Sequence, residues 1–233
     1  LVDPTLSANL LAMLVVLGSV LLFTRLRPAD LGLSCRGAGA ALALGAATWA
    51  CVQLTCFVAA ADAERTLGPA WRDGNATWTI GSLLAQLVGN ALYEEAFFRG
   101  FLLVQVALLF GATAAPVWRG LRWTWAIGVS QLVFAATHVP NRIAFQTHTT
   151  LGEWAGDMAG VFAAGVVFAL IYVGFGNLWL AVVLHALLNR PTPLCVAGDI
   201  APRTVVAGVT LLVTIAAAVR LWRRRRGSFG RGA

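Results

Sequence analysis

The feature that most constrains this chain is a series of apolar runs about as long as a lipid bilayer is thick. About 20 consecutive apolar residues cross the hydrocarbon core as a helix, and several runs approach or exceed that length. Of the 233 residues, 59% are hydrophobic and only 12% are charged, whereas a soluble domain carries about 25% charged residues. This composition excludes a soluble domain. We therefore predict an all-α fold, a polytopic transmembrane helical bundle.

The apolar runs predict about seven membrane spans joined by short loops. The expected spans are 6–24, 39–61, 79–110, 123–138, 158–174, 178–189 and 204–218. We expect the fourth span to end or kink at Pro140, because proline lacks the backbone N–H that a helix would use there. The stretch 140–157 is polar and is interpreted as a loop.

The formal charge of +7 comes from arginine, since the chain contains no lysine. A basic chain can bind nucleic acid, but these arginines cluster in short loops and at the C-terminus, a placement typical of membrane orientation signals. With the C-terminus in the cytoplasm, eleven of the seventeen arginines lie inside, five lie outside, and Arg99 lies within a span. We therefore predict an N-out, C-in topology in a bacterial-type plasma membrane, with multiple spans, lipid as a partner and no bound nucleic acid.

Polar side chains interrupt the third span in a regular pattern. Gln86, Asn90 and Glu94 step by four residues and share one helix face at ~100° per residue. Ionisable residues at this depth are costly and usually tied to function. Glu95 lies four residues before Arg99, the favourable order for an ion pair on a helix. We predict that Glu95 pairs with Arg99, whereas Glu94 has no charge partner on its own helix and can act as a base.

Two other spans carry a histidine on a polar face. His138 follows Gln131 by seven residues in the fourth span, and His185 precedes Asn189 by four residues in the sixth. In one interpretation, Glu94 and His138 take a proton from a water that attacks an amide carbonyl. His185 and Asn189 then donate hydrogen bonds to the oxyanion.

The same residue types allow two other interpretations. In one, Glu94 and the two histidines bind Zn²⁺, the ligand set of several zinc proteases. In the other, the glutamates only hold the helix bundle together through polar contacts. The residue types do not separate these alternatives.

Three motifs in this order resemble the CPBP intramembrane proteases, a family that includes CAAX prenyl endopeptidases and bacteriocin-processing or immunity-type proteins. The motifs are Glu94-Glu95-x-x-x-Arg99, Phe134-x-x-x-His138 and His185-x-x-x-Asn189, and residues 94–100 (EEAFFRG) are similar to the family's first motif throughout. The resemblance covers about residues 80–190. We accordingly predict three segments: two N-terminal membrane helices and a loop over 1–78, a catalytic intramembrane protease core over 79–190, and a final membrane helix with a basic cytoplasmic tail over 191–233.

The resemblance implies an endopeptidase that cleaves a membrane-associated substrate, prenylated or otherwise lipid-modified. It implies that Glu94 is the catalytic carboxylate, that His138 assists it in activating water, and that His185 and Asn189 stabilise the oxyanion. The supporting residues are Glu95, Arg99 and Phe134. Family members are often described as metalloproteases, yet the archaeal member that defines the fold is glutamate-dependent, so we expect no metal and keep zinc as the second version.

Two further functions and one conflict of depth stay open. The chain could be a proton- or ion-coupled carrier with Glu94 and the histidines as a relay, although carriers commonly show inverted repeats and none is visible. It could also be a catalytically silent immunity or scaffold protein.

In the predicted topology His138 lies near the outer end of its span, whereas Glu94 lies mid-span. Either the fourth span continues past Pro140, or the third begins later than residue 79, or the site opens outward.

Overall fold

The computed structural model describes residues 10–11, 13–62, 81–112, 119–145, 148–194 and 201–229, and every regular element within these ranges is helical. The predicted all-α class is therefore confirmed. Within these ranges the structure has seven longer helices and one short 3₁₀ helix, Pro28–Leu31. The longer helices are α1 (Met13–Leu17 continued by Gly18–Thr24), α2 (Cys35–Asp62), α3 (81–109), α4 (Arg119–Ala144), α5 (Leu151–Phe175), α6 (Leu178–Asn189) and α7 (Pro202–Phe229).

The lengths and the apolar composition of the helices are those of an integral membrane protein. Three segments are long and apolar enough to cross a bilayer by length and composition: Gly37–Ala59, Leu151–Phe175 and Pro202–Arg224. Two apolar helices are shorter, Met13–Thr24 and Leu178–Asn189. The number of crossings, about seven, and the N-out, C-in orientation remain predictions.

Helix α6 begins and ends at the predicted residues and lies in the middle of the bundle. Its residues 181–187 are all buried, and it packs against α2, α3, α5 and α7. Twelve residues of α-helix are about 18 Å long, which is less than the ~30 Å of the hydrocarbon core. Its N-terminus is capped by Asn177, whose Oδ1 accepts from the Trp179 backbone N–H and whose Nδ2 donates to the Gly37 carbonyl. Helix α6 is therefore too short to cross the hydrocarbon core by itself.

Helix α3, which carries the two glutamates, alternates between α- and π-helical turns. The π-helical segments are Ala85–Ala91 and Glu95–Leu102, and the α-helical ones are Leu92–Glu94 and Leu103–Leu109. A π-turn inserts one extra residue and is frequent at functional sites. The wider turns change which side chains share a face, so the simple 100° wheel used for this helix applies only locally.

Two predicted boundaries are wrong. Helix α4 does not end at Pro140 but continues to Ala144 with Pro140 inside it, whereas a kink at Pro140, the other predicted outcome, stays a prediction. A proline is tolerated within a membrane helix where neighbouring groups re-satisfy the backbone. Helix α5 begins at Leu151 rather than 158, so residues 140–144 and 151–157 of the predicted loop are helical. The start of α5 is a capping box, in which the Thr150 hydroxyl accepts from the Glu153 backbone N–H and Glu153 accepts from the Thr150 backbone.

Other boundaries differ in smaller ways or lie outside the described residues. Helix α7 continues to Phe229, so the basic tail that was predicted to follow residue 218 begins as helix. Helix α4 begins at Arg119, inside the predicted loop 111–122. The beginning of the first predicted span, most of the loop after α2, and residues 79–80 lie outside the described part of the chain.

Small residues allow close packing at two helix crossings. A Cβ at Gly174 of α5 would lie 2.9 Å from the Ala217 Cα of α7, and one at Gly165 would lie 2.8 Å from the Gln131 Oε1 of α4. Small residues at helix contacts let backbones approach closely in membranes. Gln131 is fully buried at the second crossing, where its Nε2 donates to the Ser130 hydroxyl.

Candidate active site

A cavity of about 510 Å³ lies between α3, α4, α5, α6 and the beginning of α7. It contains five of the seven residues singled out by the motifs. Those five are Glu94, Phe134, His138, His185 and Asn189. The other two, Glu95 and Arg99, lie behind the wall of the cavity and are fully buried.

His138 is positioned by the backbone of its own helix. Its Nδ1 lies 2.9 Å from the Phe134 carbonyl oxygen. A carbonyl only accepts, so Nδ1 carries the hydrogen and Nε2 presents a lone pair when the imidazole is neutral. The Phe134 ring packs edge-on against the imidazole at 4.6 Å between centroids. His138 therefore has one nitrogen fixed and one available as a base in the cavity.

His185 stands between the two glutamates of α3. Its Nδ1 lies 2.8 Å from Glu95 Oε1, and its Nε2 lies 3.8 Å from Glu94 Oε2. The Phe168 ring stacks on the imidazole at 4.9 Å and 17°. The Nδ1 contact is a hydrogen bond, whereas the Nε2 contact is too long for one. Glu95 thus orients His185 so that Nε2 faces the cavity side of Glu94.

Glu95 and Arg99 form the predicted ion pair, with 3.2 Å between Arg99 Nε and Glu95 Oε2, and both side chains are fully buried. The guanidinium carbon also lies 4.1 Å from the centroid of the Phe134 ring. A cation over a desolvated aromatic face is stabilised by the ring quadrupole. Phe134 therefore contacts both the His138 ring and Arg99. The Arg99 guanidinium balances the charge of the Glu95 carboxylate, which also binds His185.

The Glu94 side chain, unlike that of Glu95, has few contacts that fix its position. Its side chain is 14% exposed, and its Oε2 makes no hydrogen bond with any described residue.

On the same face of α3, Gln86 Oε1 accepts a hydrogen bond of 3.1 Å from Asn189 Nδ2. That bond uses one of the two Nδ2 hydrogens, so Asn189 is oriented by Gln86 and retains a second donor.

The described residues contain no group of three or more His, Cys, Asp or Glu side chains placed to share a metal ion. Catalytic zinc takes three protein ligands at about 2.0–2.2 Å. The bond of His185 Nδ1 to Glu95 leaves Nε2, 3.8 Å from Glu94 Oε2, available in the way that is usual for a metal-binding histidine, but no third His, Cys, Asp or Glu side chain among the described residues is placed to share an ion with them. The arrangement of the described side chains therefore does not fit a three-ligand zinc site.

Sequence reasoning missed several features of the site. It did not predict the contact of His185 with Glu95, the stacking of Phe168, or the role of Gln86 as the partner of Asn189. The i, i+4 steps from Gln86 to Glu94 were a signal for the last of these, since they placed Gln86 on the same polar face. Gln131, predicted to share the polar face of His138, packs at a helix crossing and does not line the cavity.

Comparison with known proteins agrees with the motifs. Residues 76–190 match the family model described as "Type II CAAX prenyl endopeptidase Rce1-like". The matched region contains all seven motif residues, and the resemblance to the CAAX-type proteases is confirmed. No curated protein and no solved structure shows significant similarity to the chain.

Proposed function

We propose that the chain hydrolyses peptide bonds of a membrane-associated or lipid-modified substrate within the bilayer, because residues 76–190 match the family model of the Rce1-like type II CAAX prenyl endopeptidases. The observation that carries the proposal is the convergence of a carboxylate, two imidazoles and an amide on one cavity. These groups come from α3, α4 and α6, far apart in sequence. Their types match the needs of amide hydrolysis, which are a base and oxyanion donors.

The proposed base is the pair of Glu94 and His138. A water between Glu94 and His138 Nε2 gives up a proton as its oxygen attacks the scissile carbonyl carbon. Glu94 Oε2 suits this role because no described residue already donates to it. His138 suits it because the Phe134 carbonyl holds Nδ1–H and leaves Nε2 as the acceptor. The proton then passes to the leaving amine as the C–N bond breaks.

The proposed oxyanion donors are His185 and Asn189. Asn189 offers the Nδ2 hydrogen that Gln86 does not use. His185 donates from Nε2 only as an imidazolium, since Nδ1–H is bonded to Glu95. Donors fixed before the charge develops lower the barrier most effectively.

We propose a mechanism without a metal, and this choice is supported by the poor fit of the described side chains to a zinc site. The test is cleavage by purified protein in vesicles after exhaustive chelation, with metal content measured in the same sample. Activity that survives with no bound metal supports the proposal. Activity that is lost on chelation and restored by Zn²⁺ rejects it in favour of the zinc version.

The substrate is sought by comparing membrane peptides released in cells that carry the wild-type protein or the isosteric variant Glu94→Gln. Peptides that appear only with the wild type identify cleavage sites. Equal amounts of both proteins in the membrane are verified first, because an unstable variant would mimic an inactive one. If both proteins release the same peptides, the proposed catalytic role of Glu94 is wrong.

A further inference from the structure

The segment that follows α6, residues 190–194 (RPTPL), is held by α2, a helix that contributes no described residue to the cavity wall. Trp49 Nε1 donates to Thr192 Oγ1 at 3.1 Å and to the Thr192 carbonyl at 3.3 Å. Gln53 Nε2 donates to the same carbonyl at 3.2 Å, and Gln53 Oε1 accepts from the Leu194 backbone N–H at 2.7 Å. Residues four apart are neighbours on a helix surface, so both side chains act from one face of α2. We call these four contacts the α2 clamp.

The α2 clamp acts on a residue with an unfavourable backbone conformation. Thr192 has a φ of +47°, in the left-handed region that β-branched residues rarely adopt. Pro193 follows it directly, and a following proline disfavours the right-handed helical region. A strained residue persists only where its surroundings impose the conformation, and such residues cluster at functional sites. The side chains that bond to Thr192 in the described part of the chain are those of Trp49 and Gln53.

The clamped residue lies three positions beyond a proposed oxyanion donor. Asn189 ends α6, and Thr192 is the third residue after it. The last carbonyls of a helix have no partner within the helix, and helix ends fray, so groups outside α6 decide where its last turn lies. Arg203 is one such group, since its Nη2 donates to the Asn189 carbonyl at 3.2 Å. The α2 clamp is another, because it fixes the chain directly after that turn.

The Asn189 amide can stabilise an oxyanion only if the backbone places it correctly. A hydrogen bond of 3.1 Å to Gln86 Oε1 orients the amide, but the position of the whole side chain follows that of its Cα. A displacement of about 1 Å in a catalytic arrangement can cost about 10²-fold in rate. A clamp three residues away is therefore close enough to affect catalysis.

We propose that Trp49 and Gln53 are positioning residues for the peptidase reaction, which hold Thr192 in its left-handed conformation and thereby place the Asn189 amide at the oxyanion. Neither side chain lines the cavity, so neither touches a substrate bound there. Both lie outside residues 76–190, the region that matches the family model. This inference rests on the proposed function and extends the machinery of the site to α2.

Hydrogen exchange of the full-length protein in lipid vesicles tests the α2 clamp without any substrate. Gln53→Leu removes the acceptor of the Leu194 N–H, and Trp49→Phe removes the indole N–H but keeps an aromatic ring. We expect amide exchange within 190–194 to become about two- to tenfold faster in each variant, the effect of one lost hydrogen bond. The control is Trp125→Phe, at an exposed tryptophan of α4, which should exchange like wild type. Unchanged exchange in both clamp variants overturns the inference.

Kinetics then test whether the α2 clamp acts through Asn189, with a peptide that wild type releases and Glu94→Gln does not. Trp49→Phe and Gln53→Leu should each lower kcat by about two- to tenfold with KM unchanged, because an oxyanion donor acts in the transition state. Combined with Asn189→Ala, the same substitutions should lower kcat no further, since the group that they position is absent. A merely structural contribution would lower kcat by the same factor with and without Asn189.

The outcomes separate this inference from the proposed function. If the effects of the clamp variants and of Asn189→Ala multiply, or if the clamp variants raise KM and leave kcat unchanged, the positioning role is overturned while the protease remains. If wild type cleaves no membrane peptide, the proposed function fails and the positioning role fails with it. Faster exchange in the two variants would then still establish the α2 clamp as a structural contact.

Discussion

Replacing Arg99 by methionine should destabilise the protein strongly, because it leaves Glu95 as an uncompensated charge in the core. The two side chains are fully buried, with 3.2 Å between Nε and Oε2. At an effective dielectric constant of about 20, that separation corresponds to roughly 5 kcal/mol of attraction. Breaking a buried pair by removing one partner costs about 3–5 kcal/mol. The double variant Arg99→Met/Glu95→Gln should recover much of this loss, because the glutamine is neutral and can still accept from His185 Nδ1.

Cys56 provides the assay. It is fully buried, whereas Cys35 and Cys51 are exposed, so replacing Cys35, Cys51 and Cys195 by alanine leaves one thiol that reacts only on unfolding. A loss of about 3 kcal/mol should raise the rate of Cys56 labelling by a fluorogenic maleimide about 100-fold. The double variant should label much more slowly than Arg99→Met. If Arg99→Met labels at the wild-type rate, or if the double variant labels faster than the single, the reasoning from buried charge is wrong.

Three other predictions concern single contacts. His138→Asn can keep a hydrogen bond from its amide N–H to the Phe134 carbonyl but has no basic nitrogen, so kcat should fall by about 10²–10⁴ with the labelling rate of Cys56 unchanged. A near-normal kcat would exclude His138 as a base. Gln86→Leu removes the Oε1 acceptor that lies 3.1 Å from Asn189 Nδ2 and orients that amide. It should lower kcat by about two- to tenfold with little change in KM. A rise in KM alone would contradict an orienting role. Gly174→Ala should lower the free energy of unfolding by about 1–3 kcal/mol through overpacking, since its Cβ would lie 2.9 Å from the Ala217 Cα. Gly160→Ala on the same helix has open space and should be neutral or stabilising. Equal labelling rates of these two variants would refute the close crossing of α5 and α7.

Local periodicity predicted those parts of the fold and site that depend on one helix. The ion pair of Glu95 and Arg99 follows from i, i+4 spacing, and α6 has its predicted bounds because Asn177 caps its beginning and Pro191 follows its end. The capping box at Thr150 and Glu153 was a local signal too, but the polar composition of 140–157 outweighed it. Polar composition therefore predicts a loop wrongly where a helix begins with polar turns.

Contacts between helices could not be predicted from spacing. His185 bonds Glu95 and faces Glu94 because of the way α6 is rotated relative to α3. The π-helical turns of α3 change that relative orientation. The continuation of α4 past Pro140 depends on tertiary surroundings that satisfy the backbone near a proline. It also removes one part of the depth conflict, because His138 lies six residues before the end of α4 rather than at its end.

The most direct test of the central claim is the single-turnover rate of Glu94→Gln on a peptide that the wild type cleaves, in protein whose Cys56 labelling matches the wild type. Glutamine keeps the size of Glu94 but cannot accept the proton of the attacking water. We predict a fall in the rate constant of at least about 10², with peptide still bound. A rate within a factor of about two of wild type, after conversion of the glutamine back to glutamate is excluded by mass spectrometry, would contradict the claim that Glu94 activates water.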